Sequence, residues 1–165
     1  MLISIYSTNI EMSVHLPKHI RSKFINLFHS IFDVISFPRS YIFINIIYNS
    51  SIITLNKEWK KSYFATDILT FRSKKHISLK RREGVIGNIV VSIDKVFYQS
   101  HILGISIYEE LMILIIHGLL HLLGFDHERN QFSNIYQSLC ELKISQRLDV
   151  IKHKSLYYRI YTIYI

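Results

Sequence analysis

The residues best suited to chemistry lie in one stretch, His117-Gly118-Leu119-Leu120-His121-Leu122-Leu123-Gly124-Phe125-Asp126-His127. His117 and His121 are four apart in an apolar segment that reads as a helix. Residues at that spacing sit one turn apart on one face, so both imidazoles can reach one ion. Gly124 lets the chain leave the helix without a Cβ penalty, and His127 then returns from the loop as a third ligand. Three protein ligands and one open position describe a catalytic zinc site, because structural zinc is usually closed by four. One Zn2+ ion is expected there, although three imidazoles also suit nickel, copper or cobalt. Such an ion lowers the pKa of its bound water to about 7 and polarises a phosphoryl or carbonyl oxygen. Catalysis would then fall to the metal-bound water.

The spacing equals that of the metzincin proteases, His-x-x-x-His-x-x-Gly-x-x-His, where a glutamate after the first histidine acts as general base. Gly118 stands at that place and accepts no proton. The ligand cage is kept and the protease's base is missing.

These residues need elements to hold them. Residues 106–123 read as a long helix, with Glu109 and Glu110 in a first turn where carboxylates suit the dipole, and Gly124 as its stop. Strands are expected at 2–7, 41–48, 67–71 and 85–93, the last broken at Gly87. Apolar spacing predicts helices over 18–35 and 130–150, and Ser50 and Ser51 can cap another over 52–61. Residues 72–82 are polar and basic and read as a loop. The class is α+β or α/β, a small mixed sheet of about four strands packed with helices. One domain is expected over 1–150, with residues 151–165 as a tail of undecided structure.

Composition narrows the function classes. The chain has 165 residues, 49% of them hydrophobic, so a core can be built. A single cysteine, Cys140, excludes an intramolecular disulfide framework and any Cys-rich zinc or iron–sulfur site. The start lacks a basic region followed by an apolar one, and the longest apolar run, 111–125, falls short of the ~20 residues that span a bilayer. No membrane partner and a cytoplasmic location are therefore expected. The net charge of +8 draws polyanions. Isoleucine fills roughly a sixth of the chain and Ala65 is the one alanine, a skew that also inflates lysine and weakens the charge as a signal.

Residues 117–127 resemble the signature of the YbeY family, His-Gly-x-Leu-His-Leu-x-Gly-Tyr/Phe-Asp-His, and match it throughout. Leu55-Asn56, Trp59-Lys60 and Thr66-Asp67-Ile68-Leu69-Thr70-Phe71 are similar to its Leu-Asn-x-x-Tyr-Arg … Thr-Asp-Val-Leu-Ser-Phe. Gly87-Asn88-Ile89-Val90-Val91-Ser92 is similar to Gly-Asp-Ile-Val-Ile-Ser. The resemblance implies a zincin-related α+β fold and a zinc-dependent, single-strand-specific endoribonuclease. It implies a role in rRNA processing, at the 16S rRNA 3′ end, and in ribosome quality control. RNA would be the partner, with ribosomal subunits or proteins beside it. Two positions depart from the pattern. Lys60 replaces an arginine thought to contact RNA or assist catalysis, which loses the bidentate fork that suits a phosphate. Asn88 replaces an acidic residue and removes a candidate carboxylate behind the ligands.

Further candidates follow. Lys60, Arg72, Lys74, Lys75 and Arg81, with Lys80 and Arg82, would neutralise phosphates and make binding salt-dependent. Asp126 would orient a ligand histidine from behind. Thr66, Asp67 and Thr70 are expected to shape a turn and strand. His15, His19, His29, His76, His101 and His153 lack ligand spacing. Two rival functions remain at this level: a ribosome assembly factor whose metal only stabilises the fold, and a metallopeptidase or amidohydrolase on the same cage. Oligomeric state is not encoded in any of these features.

Overall fold

Between Ser40 and Ile47 every second residue from Ile42 is isoleucine, a period that buries one face of a strand. The computed structural model describes residues 3–5, 10–12, 22, 26, 40–73, 84–124 and 141. It places strands β1 at Ile3–Ile5, β2 at Ile10–Met12, β3 at Ser40–Ile47, β4 at Ile68–Arg72 and β5 at Gly84–Ser92. Helices are α1 at Asn49–Lys60, α2 at Ile93–Leu103 and α3 at Ile107–Leu123. The five strands form one sheet in the order β1-β2-β3-β5-β4. β2, β3 and β5 run parallel, and β1 and β4 flank them antiparallel. The fold is a mixed-sheet α+β structure, with β4 an edge strand.

Side-chain alternation sends the two faces of the sheet to different helices. Ile42, Ile44, Ile89 and Val91 pack with α3 residues from Leu111 to Leu122 and with Val96 of α2. On the other face Leu69 and Val90 pack on Ile52 of α1, with Leu55 and Phe71 beside them. α3 is apolar nearly all round and buried along most of its length, which suits a core helix. Among the described residues no single helix is long and apolar enough to cross a membrane.

Two glycines bring α3 close to the sheet. A Cβ on Gly118 would stand 2.6 Å from Ile68 Cδ1 and 3.2 Å from both Ile89 Cγ2 and Thr70 Cγ2. A Cβ on Gly87 would collide with the Phe71 carbonyl oxygen and approach Leu122 Cδ2 to 2.8 Å. The residue after His117 therefore faces the sheet. A glutamate there would be driven into packed side chains rather than toward the histidines.

Local signals explain the ends. Ser106 Oγ accepts the Glu109 amide and Glu109 Oε2 accepts the Ser106 amide, a capping box that starts α3. Gly124 ends it at φ 94°. α1 starts differently from expectation. Its N-cap is Tyr48, with no side-chain cap, and Asp94 Oδ2 accepts the Asn49 amide at 2.6 Å. Ser92 Oγ donates to Asn49 Oδ1 at 2.6 Å, so the starts of α1 and α2 are tied together. Lys61 ends α1 with φ 58°, a left-handed conformation that glycine adopts at less cost.

The differences from expectation have physical reasons. Among the described residues the sheet has five strands rather than about four, the added one being β2, which at three residues is too short to show a period. β5 is not broken at Gly87. The register shifts between Tyr41 and Ile42, leaving Ile86 as the extra residue of a bulge in a continuous strand. α2 follows β5 with no loop and buries Val96 and Ser100 while Phe97, Tyr98 and Ile102 are exposed, which blurs the usual apolar stripe. Arg72 closes β4 rather than opening a loop. The expected helices over 18–35 and 130–150 and the tail at 151–165 lie outside the described residues, apart from helical Ser22, Asn26 and Glu141.

Gly118→Ala is expected to lower stability by about 1–3 kcal/mol through overpacking, and Gly87→Ala by more, since a carbonyl of the neighbouring strand cannot step aside. Lys61→Gly is expected to raise stability by about 1 kcal/mol by relieving the left-handed cap. Denaturant unfolding of the three variants checks the order.

Candidate functional site

The apolar stripe of α3 must bury itself against the sheet, and that orientation decides where its histidines go. Gly118 and Leu122 face the sheet, so His117 and His121 fall on the neighbouring stripe of the helix. His117 Nε2 and His121 Nε2 lie 3.0 Å apart, with ring planes at 71°. The His117 side chain keeps 27% of its surface exposed, so solvent and solutes reach it.

Glu141 completes the arrangement. Its Oε1 accepts from His117 Nδ1 at 2.7 Å, across 24 residues of sequence. Glu141 is nearly buried. A carboxylate can only accept, so the proton between them sits on Nδ1, and Nε2 is the ring nitrogen turned toward His121. A carboxylate behind a histidine is a common means of fixing the tautomer and orientation of a metal ligand. Nitrogens bound to one tetrahedral zinc at about 2.0–2.1 Å lie about 3.3 Å apart, close to the separation of these two Nε2 atoms. Among the described residues no three of His, Cys, Asp and Glu converge as a complete ligand group. His127, nominated as the third ligand, and Asp126, nominated behind the ligands, lie outside the described residues.

The basic candidates divide. The Arg72 guanidinium nitrogens Nη1 and Nη2 lie 3.5 and 3.6 Å from where a Gly124 Cβ would stand, against the C-terminal end of the histidine helix. Lys60 is the last residue of α1, exposed, on a helix that covers the opposite face of the sheet. Lys74, Lys75, Lys80, Arg81 and Arg82 lie outside the described residues. Asn88 alternates with Gly87 and Ile89, which face α3, and so faces the α1 side, away from the histidine helix. Asp67 has a structural role. Its Oδ1 accepts the Ile68 amide at 2.8 Å and its Oδ2 accepts from Gln99 Nε2 at 3.1 Å, which joins β4 to α2.

Glu141 was not among the sequence candidates. It sits in a stretch whose apolar spacing, Ile135, Leu139, Leu142, predicts a helix packed on the core. A carboxylate on the buried side of that helix is the signal that would have singled it out.

Fold and site together define an α+β domain whose core helix presents a paired-histidine face backed by a carboxylate, with a guanidinium at its end. The sequence matches the family described as Endoribonuclease YbeY over residues 7–147, and the chain belongs to the YbeY family of endoribonucleases. An endoribonuclease YbeY from Sulfurihydrogenibium sp. is 33% identical over 115 residues, covering 69% of this chain and 74% of that protein. One from Syntrophomonas wolfei is 31% identical over 140 residues, covering 81% and 90%. A chloroplastic endoribonuclease YBEY from Arabidopsis thaliana is 44% identical over 78 residues, covering 47% of this chain and 13% of that protein. The solution structure of TM1509 from Thermotoga maritima shares the fold, with a TM-score of 0.55 at 18% identity, covering 84% of this chain and 89% of that one.

Glu141→Leu is expected to destabilise the protein by about 1–3 kcal/mol, because His117 Nδ1 loses its acceptor in a partly buried place. Thermal denaturation beside Glu141→Gln, which keeps an oxygen there and is expected to lose less, checks the assignment.

Proposed function

We propose that this chain is a zinc-dependent endoribonuclease that cuts single-stranded RNA in rRNA maturation, at the 16S rRNA 3′ end, and serves ribosome quality control. The observation that carries the zinc-centred reading is the pair of Nε2 atoms at 3.0 Å with Glu141 holding the proton on His117 Nδ1. His117 and His121 would hold the ion, with His127 as the third ligand. When bound, zinc supplies a Lewis acid for a phosphoryl oxygen and makes a water more acidic.

The chain's own residues do the rest. Glu141 orients the His117 ring so that Nε2, not Nδ1, faces the reaction centre. Arg72 brings a planar guanidinium to the C-terminal end of α3, where it can grip a phosphate with two parallel hydrogen bonds. That fork is the one Lys60 lacks, so Arg72 and Lys60 divide the work of recognising phosphate between two faces of the β4 edge. Gly118 faces the sheet and leaves no carboxylate at the protease base position, which disfavours peptide hydrolysis. Subunits or proteins of the ribosome would present the RNA.

Purified protein is expected to hold one zinc per chain and to cut an end-labelled single-stranded RNA, with cutting abolished by a chelator and in His121→Ala. Glu141→Gln is expected to weaken zinc binding about 10- to 100-fold, read by chelator competition. Stoichiometric zinc, bound RNA and no cutting under any condition would favour the non-catalytic assembly factor. A terminal 2′,3′-cyclic phosphate on the product would identify the ribose hydroxyl as the attacking group, and a simple phosphate would identify water.

A further inference from the structure

Three large aromatic side chains stand exposed at the end of α1 and in the turn that follows: Trp59 at 66%, Tyr63 at 68% and Phe64 at 81%. They are held in place. Buried Asn56 donates through Nδ2 to the Phe64 carbonyl at 2.8 Å. The left-handed Lys61 and the Ser62 amide on the Asn56 carbonyl at 3.3 Å fix the turn. The Trp59 ring meets Phe71 edge-on at 5.3 Å. Lys57 Nζ stands 5.1 Å from the Tyr63 ring centre, and Lys60 and Lys61 are exposed alongside.

Aromatic faces interleaved with cations match a single-stranded nucleic acid, in which each unpaired base offers a π-face and each linkage a negative charge. A protein-docking patch would have its charges depleted at the centre and kept to the rim, whereas here three lysines lie within the same eight residues, 57–64, as the aromatics. The patch also continues toward the histidines. Trp59 rests on Phe71, and the next residue on the edge strand, Arg72, carries its guanidinium to the end of α3 three residues past His121.

We propose that Trp59, Tyr63 and Phe64, with Lys57, Lys60 and Lys61 between them, form a stacking platform for unpaired bases of the RNA substrate. The platform lies on the α1 side of the edge strand β4, and the strand of RNA crosses that edge to bring its backbone past Arg72 to the histidine face. The proposal rests on the RNA reading above. It adds a reason for preferring single strands, because a duplex hides its base faces.

Trp59 is the one tryptophan of the chain, so its emission reports on the platform directly. The full chain is titrated with a short, labelled 2′-O-methyl oligoadenylate, following label polarisation and tryptophan emission together, with an RNA duplex in parallel. Quenching that saturates at the same Kd as the polarisation change is expected with the single strand and not with the duplex. The Tyr63→Ala/Phe64→Ala double variant is expected to bind about tenfold more weakly or worse at an unchanged melting temperature, and Phe64→Tyr to bind as wild type. Binding without quenching, or unchanged affinity in a folded double variant, overturns the platform while leaving the RNA reading intact, and leaves the patch as a protein-docking face. No binding of the oligoadenylate at all overturns both.

Discussion

The close approach of α3 to the sheet is the contact on which the remainder depends. It is possible because Gly118 and Gly87 present no side chain where helix and strands meet. With Gly118 turned to Ile68, Thr70 and Ile89, the stripe carrying His117 and His121 can only point to one side of the helix. The same contact carries Arg72 to the helix end, since β4 runs beneath α3 and stops beside Gly124. A larger residue at either glycine would lift the helix and alter histidine pair, guanidinium and core at once.

A second constraint is the division of labour between the faces of the sheet. Strand alternation gives α3 and the histidines one face, and α1 with its exposed aromatics the other. β4 lies at the outer edge of the sheet, where both faces are within reach of one extended ligand. An endoribonuclease acting on a flexible strand can use such an edge in a way that an enzyme binding a small molecule in a cleft cannot. Lys60 ends α1, and the exposed Tyr63 and Phe64 follow it in the turn that leads to this edge strand.

The paired histidines also show why the site is built from distant parts. Two imidazoles one helical turn apart come together by helix geometry alone. Neither turn of the helix can choose which nitrogen keeps the proton. That choice needs an acceptor behind the ring, and Glu141 supplies it from another part of the chain.

Much of this was legible in the residues themselves. The helix over 107–123, its capping box, its glycine stop and the facing of His117 with His121 follow from local periodicity and capping, which act within a few residues and need no partner. The α+β class, the main strands and the family follow from alternation and from the motif over 117–127. What lay beyond the sequence is non-local. β2 is too short to have a period, and α2 hides because Phe97, Tyr98 and Ile102 face outward while only Val96 of its apolar residues is fully buried. Asn88 could not be assigned to a face before the register of β5 was known. Glu141 could not be paired with His117, nor Arg72 with the end of α3, until packing closed the distance between them. Local propensity determines which elements form, and tertiary packing alone decides which side chains of different elements meet, because those contacts join residues far apart in the chain.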